Sequence, residues 1–198
     1  MKEITLLGQN VNAWSCEGRD NKIWGLGRLI TELAKLKDLK FIRYTTSHPL
    51  DMDLELIEAH RDINKLMPYL HLPIQSGSDN ILKLMNRKHT VDSYKKIVAK
   101  LRDERPDIAL SSDFIVGFPG ETEEDFEILK NWVKEMRFER LGCFTYSHEE
   151  NTHAFKHNDN VPEFIKQERS NIIMDIQSQI SWENNQACVG KIFRCLID

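Results

Sequence analysis

Along the chain, short apolar runs alternate with longer stretches in which apolar residues recur every three or four positions. EITLLGQNV (residues 3–11) begins as a strand signal and ends in turn-forming Gly, Gln and Asn. Leu26, Leu29, Ile30, Leu33 and Leu36 then fall on one helical face. KFIRYTT (40–46) predicts the next strand, stopped by Pro49, and residues 53–60 predict a helix. YLHLPI (69–74), IALSSDFIVGF (108–118) and LGCFTYS (141–147) predict three further strands. Between them, Ser78 is placed to cap a short helix carrying Ile81, Leu82 and Met85. Thr90 caps VDSYKKIVAKLRDE, and Thr122, with Asp125 three positions on, opens a helix through Met136. A long amphipathic helix is expected from about residue 163 to 186, and KIFRCLID reads as one more strand.

Strict alternation of strands and helices predicts βαβ units and a parallel sheet, hence an α/β fold. Periodicity alone allows either part of a (β/α) barrel or an open sheet. In both, chemistry gathers at the carboxyl ends of the strands. Four such ends carry polar punctuation: GQNVNAW, TTSHP, HLPIQSGSD and SSDFIVGFPGE. Gln75, Ser76 and Ser78 offer short donors and acceptors beside Gly77. Asp113 could accept from hydroxyls or an amine. Gly117 and Gly120 let a flat ligand approach the main chain, since no Cβ intervenes. The plainer reading of GFPG is a turn, and of Glu121, Glu123, Glu124 and Asp125 a set of acids favoured at the positive end of a helix. Acids there also argue against a phosphate loop.

With 198 residues, 40% apolar and 29% charged, the chain has room for one domain or slightly more. A net charge of −4 gives no whole-molecule attraction to nucleic acid, so any RNA contact needs a local basic patch. Arg87, Lys88 and His89 form one small cluster, readable as a solvated helix end or an anion contact. His148, His153 and His157 invite a metal reading, although such a trio in a polar loop is more often solvated. Cys16, Cys143, Cys188 and Cys195 are scattered, form no C-x-x-C, and read as reduced packing thiols. Neither a signal peptide nor an apolar run of membrane length is present, and a cytoplasmic location without membrane contact is expected.

"LLGQNVNAW", "IRYTTSHP", "LHLPIQSGSDNILKLMNRKHT" and "SSDFIVGFPGETEEDF" together resemble the radical SAM methylthiotransferases. Over about residues 1–126 the resemblance is to the branch that methylthiolates a prenylated adenosine beside the tRNA anticodon. Over about 127–198, "ILKNWVKEMRFERLGCFTYSHEENTHAF" and "IMDIQSQISWENNQ" are more similar to the branch that modifies an aspartate of a ribosomal small-subunit protein.

The resemblance implies a partial parallel barrel over 1–160, a connecting helix region over 161–188, and the start of a TRAM-like RNA-binding β-domain over 189–198. It implies S-adenosylmethionine as cofactor, bound by Gln75, Ser76, Ser112 and Asp113, with the strand from Phe114 to Gly117 against the adenine. It also implies 4Fe-4S clusters in the parent enzymes, yet the C-x-x-x-C-x-x-C motif is absent and no ligands for a cluster are expected here. The first barrel strand, the cluster loop and most of the β-domain would then be missing, leaving a fragment at both ends. The expected partner is a tRNA anticodon loop, or alternatively the ribosomal protein. A catalytically silent binding module is the third reading.

Overall fold

A computed structural model describes residues 1–193 and Cys195. Among these residues, seven strands and six α-helices follow in the order β1 (Glu3–Leu6), β2 (Ser15–Glu17), β3 (Ile23–Gly25), α1 (Leu26–Ala34), β4 (Phe41–Tyr44), α2 (Leu54–Asp62), β5 (Tyr69–His71), α3 (Asp79–Leu84), α4 (Val91–Glu104), β6 (Ala109–Val116), α5 (Glu123–Met136), β7 (Arg140–Thr145) and α6 (Glu163–Gln186). Strands β1 and β4 pair in parallel, as do β5, β6 and β7 in that order. A parallel bridge from Ile42 to Leu66, just ahead of β5, joins the two groups. The parallel strands β1, β4, β5, β6 and β7 therefore neighbour one another in chain order, with a helix in each connection, the arrangement of βαβ units. The α/β fold with parallel strands expected from the periodicity is present.

The β2–β3 hairpin was not legible in the sequence. Its strands are three residues long, antiparallel and largely exposed, so they show no apolar alternation to read. The expected final strand is absent over Lys191–Phe193, while Arg194 and residues 196–198 lie outside the described residues.

One face of the sheet carries the core. Ile42, Leu70, Leu72, Leu110, Phe114 and Val116 are buried beneath the helices. Phe114 meets Trp132 of α5 edge-on, with ring centroids 5.7 Å apart. Burying such a ring stabilises the fold by about 1.5–3 kcal/mol. Helices α1 and α2 approach closely because Gly27 has no side chain; a Cβ there would lie 2.6 Å from the Glu55 backbone.

Caps hold the helices where the sequence predicts them. Thr90 and Ser93 make a reciprocal capping box on α4, and Thr122 and Asp125 make another on α5. Ser78 stands at the N-cap of α3 but makes no capping bond. Its hydroxyl instead donates to Asp125 Oδ1 at 2.6 Å, tying the loop after β5 to α5. Burial alone would raise the Asp125 carboxyl, but the bonds from Ser78 and Thr122 outweigh it and hold the group below its usual range.

Candidate active site at the strand ends

The carboxyl ends of β6 and β7 open into a cavity of about 530 Å³. Asp113 and Ile115 of β6, Phe144 of β7, Gln75 from the loop after β5 and Arg87 from the end of α3 contribute to its wall. The long loop after β7 closes it with Tyr146, Glu149 and His153. Its volume exceeds that of a nucleoside, and its mix of apolar walls with a few polar groups is that of a small-molecule site.

The alternation of β6 decides which candidate residues reach it. Asp113 and Ile115 face the cavity, whereas Ser112 and Phe114 face the helices. The Ser112 hydroxyl accepts from Ile74 N and donates to Leu72 O, both at 3.2 Å, so it is spent on the β5 segment. Ser76 is buried, and its Oγ accepts from Ser78 N. Of the six residues singled out in the sequence, the structure brings Gln75 and Asp113 together at the cavity. Ser76, Ser112 and the Phe114 side chain lie in the packing behind it.

Gly117 has a different neighbour from the one its bareness suggested. Its φ is +71°, and a Cβ there would lie 2.3 Å from Lys166 Cγ of α6. Its N–H donates to Glu121 Oε1 at 2.9 Å, and the same oxygen accepts from Arg169 Nη1 at 2.6 Å. Glu121 thus belongs to a buried ion pair with α6, not to the exposed acids of the first turn of α5. Gly117 admits the long helix. Lys166 itself is buried, its ammonium bonded to Asp159 at 2.7 Å and to Tyr146 O at 3.3 Å.

Gln75 is held in an unusual backbone state. Its φ is +82°, while its N–H donates to Asp113 O and its carbonyl accepts from Ile115 N. A non-glycine residue there costs on the order of 1–3 kcal/mol and persists only when its surroundings demand it. Across the same face, His71 links Ser111 Oγ, 3.0 Å from its Nδ1, with Asp113 Oδ2, 3.4 Å from its Nε2. The sequence reading missed His71. Its position two residues from Tyr69 on a strand, polar among apolar neighbours, was the available signal.

The histidine trio packs against aromatic neighbours. His148 stacks on Phe155 at 4.6 Å and bonds the Tyr146 hydroxyl, while His153 and His157 lie edge to face. Among the described residues no three His, Cys, Asp or Glu side chains converge on a metal-sized site. Cys143 sits on the helix-facing side of β7, and burial pushes its thiol up to about 12, so it is no ready thiolate. Cys16, Cys188 and Cys195 are exposed. These cysteines do not fit the donor set that an iron–sulfur cluster needs.

Several solved structures resemble this one, among them the following three. Coproporphyrinogen III oxidase (HemN) from Escherichia coli, a radical SAM enzyme, aligns with a TM-score of 0.58 and 20% identity, over 81% of this chain and 36% of its own. Elp3 from Methanocaldococcus infernus aligns at 0.56 and 16%, over 89% and 45%. Streptococcus suis SuiB, solved with its precursor peptide SuiA, aligns at 0.55 and 14%, over 89% and 36%. The chain therefore spans less than half the length of each, and at these identities the likeness is one of fold. The radical SAM superfamily profile matches residues 2–133. With a parallel sheet, a strand-end cavity and a profile match over most of its length, the chain belongs to the radical SAM superfamily.

Proposed function

We propose that this chain is the barrel portion of a methylthiotransferase acting on a prenylated adenosine in a tRNA anticodon loop. One observation carries the reading. The segments that resemble the tRNA branch converge on the same strand-end region: Gln75 and Arg87 from the third, Asp113 from the fourth, and His48 from the second beside Arg87. The first segment joins them through Asn12, whose side chain accepts from His48 N at 2.8 Å and donates to His48 O at 2.9 Å.

S-adenosylmethionine suits the cavity by size and by donor set. Asp113 would accept from the ribose hydroxyls, Gln75 would bond the polar end, and Ile115 and Phe118 would flank the adenine. Bound there, it supplies the radical chemistry of the superfamily. Asp113 is held by His71, so its carboxylate meets the cofactor already oriented. The cluster is a separate matter: the thiolates it requires are not brought together by these residues, and another segment or chain would have to provide them.

The ribosomal-protein branch has its own support in β7 and α6, whose sequence resembles it. Those elements pack against the cavity from behind, through Lys166 and Arg169, and contribute Phe144 and Thr145 to its wall. Loops nearest a bound cofactor discriminate substrates in barrel enzymes; the polar groups assigned to the cofactor, Gln75 and Asp113, come from the first half, while the loop after β7 brings Tyr146, Glu149 and His153 from the second. Joining the chain to a cluster-bearing upstream segment and a TRAM domain of the tRNA branch tests the assignment. Mass spectrometry should show weak methylthiolation of prenylated tRNA and none of the ribosomal protein. A modified aspartate beside unmodified tRNA would reverse it.

A further inference from the structure

Beside the main cavity lies a second basin of about 420 Å³, walled by His48, Arg87, Lys88 and His153 with Leu50 and Met85. Among the described residues, no carboxylate lines it. Among the described residues, neither Arg87 nor Lys88 has an ion-pair partner, although the chain carries net negative charge. Arg87 is half-buried, and burial lowers its guanidinium from the ordinary value while leaving it cationic. A desolvated, unpaired guanidinium is costly unless an anion meets it.

The donors are held by their backbones. Asn86 takes φ +57° after α3, and Arg87 N donates to Leu82 O at 2.8 Å, a helix-ending bond that fixes where Arg87 starts. His48 follows Thr46, a β-branched residue at φ +62°, and is clamped by Asn12. His48 Nδ1 accepts from Leu50 N at 3.2 Å, which puts the proton of the neutral ring on Nε2. Burial, with the Arg87 charge, keeps that ring below its ordinary value. Asp51 Oδ2 stands 4.0 Å from His48 Nδ1 and is already bonded by Asn10.

Met85, Arg87 and His153 line this basin and the main cavity alike. A nucleotide presented at the mouth of the cavity and an anion in the basin would be separated by little more than these side chains. We propose that the His48–Arg87–Lys88–His153 basin seats a backbone phosphate of an RNA substrate, adjacent to the nucleotide presented at the cavity. This rests on the tRNA reading above and names how that substrate is held.

The 198-residue chain can be titrated into a fluorescein-labelled anticodon stem-loop RNA at low salt, read by anisotropy. Replacing Arg87→Gln together with Lys88→Gln should weaken binding about tenfold or more. The slope of log affinity against log salt should flatten by about 0.7, one phosphate's share. Arg87→Lys should keep most of that slope, and Lys95→Gln with Lys96→Gln should change little. In parallel, inorganic phosphate should shift the His48 and His153 ring signals of the unmodified chain in NMR and not those of the double variant.

Equal RNA affinity in the double variant would overturn the proposal, as would absence of RNA binding by the unmodified chain. Phosphate shifts without any Arg87 dependence of RNA binding would mark an adventitious ion only. Loss of binding to an acidic peptide, with RNA unaffected, would assign the basin to a protein partner instead. Because these are binding readouts, they can fail while methylthiolation of tRNA by the completed enzyme succeeds, and the reverse.

Discussion

Lys166 fills the space that a side chain on Gly117 would occupy, its Cγ 2.3 Å from where a Cβ would sit. The turn after β6 is bare so that α6 can lie across it, and the ammonium passes on to Asp159 and Tyr146 O. This contact also ties the turn after β6 to α6, far along the chain.

Gly117→Val should therefore damage folding before it affects any ligand. Positive φ and overpacking each cost on the order of 1–3 kcal/mol, so a loss of about 2–6 kcal/mol is expected in urea unfolding. Adding Lys166→Ala should recover the overpacking part. An unchanged midpoint in Gly117→Val would contradict the packing.

The buried Glu121–Arg169 pair makes a second test. Breaking it with Arg169→Met leaves a buried carboxylate and should cost about 3–5 kcal/mol. Glu121→Gln with Arg169→Met should cost less than the sum of the single changes. Additive costs in that cycle would mean that the two side chains do not interact.

Cavity-facing and helix-facing positions of β6 should respond differently. Phe114→Ala should cost about 3–5 kcal/mol of stability by emptying the core beside Trp132. Asp113→Asn should leave stability nearly unchanged and weaken S-adenosylmethionine about tenfold in calorimetry, since it loses a charged acceptor. Equal cofactor affinity would remove Asp113 from the site.

His60 predicts an acid-sensitive term. It is fully buried, with Nε2 2.7 Å from the Tyr44 hydroxyl, and burial followed by the Arg105 charge lowers its pKa from 6.5 to about 4. The unfolded chain binds the proton more readily, so this contribution is complete above 6.5 and is lost as pH falls through about 4. Its full size is about 3 kcal/mol. Unfolding free energy should fall less steeply across that window in His60→Phe, and identical slopes would exclude the histidine as the cause.

Anaerobic reconstitution with iron and sulfide should leave the purified chain colourless, because Cys143 is a half-buried thiol and the other three cysteines are exposed and dispersed. A stoichiometric 4Fe-4S absorbance abolished by Cys→Ser changes would show the opposite.

Much of this architecture follows from local chemistry. Among the described residues, the sequence pattern located all five parallel strands and the six α-helices, and α6 spans the residues over which it was expected, although its buried face is largely polar: Lys166, Arg169, Ser170 and Gln177. Thr90 and Thr122 cap their helices because each carries a short hydroxyl with a reciprocating side chain three residues on. These are properties of neighbouring residues, and a sequence displays them directly. The division of β6 into Asp113 and Ile115 toward the cavity, Ser112 and Phe114 toward the helices, is another matter. Alternation shows that a strand has two faces, but polar residues stand on both, and only the crossovers determine which face the helices cover. Nor could the sequence announce that Gly117 awaits Lys166, that Glu121 pairs with Arg169 at a separation of 48 residues, or that Arg87 shares a basin with His48. Such partners meet because the chain returns through space, so the glycine, the acid and the arginine acquire their roles only once the chain has folded.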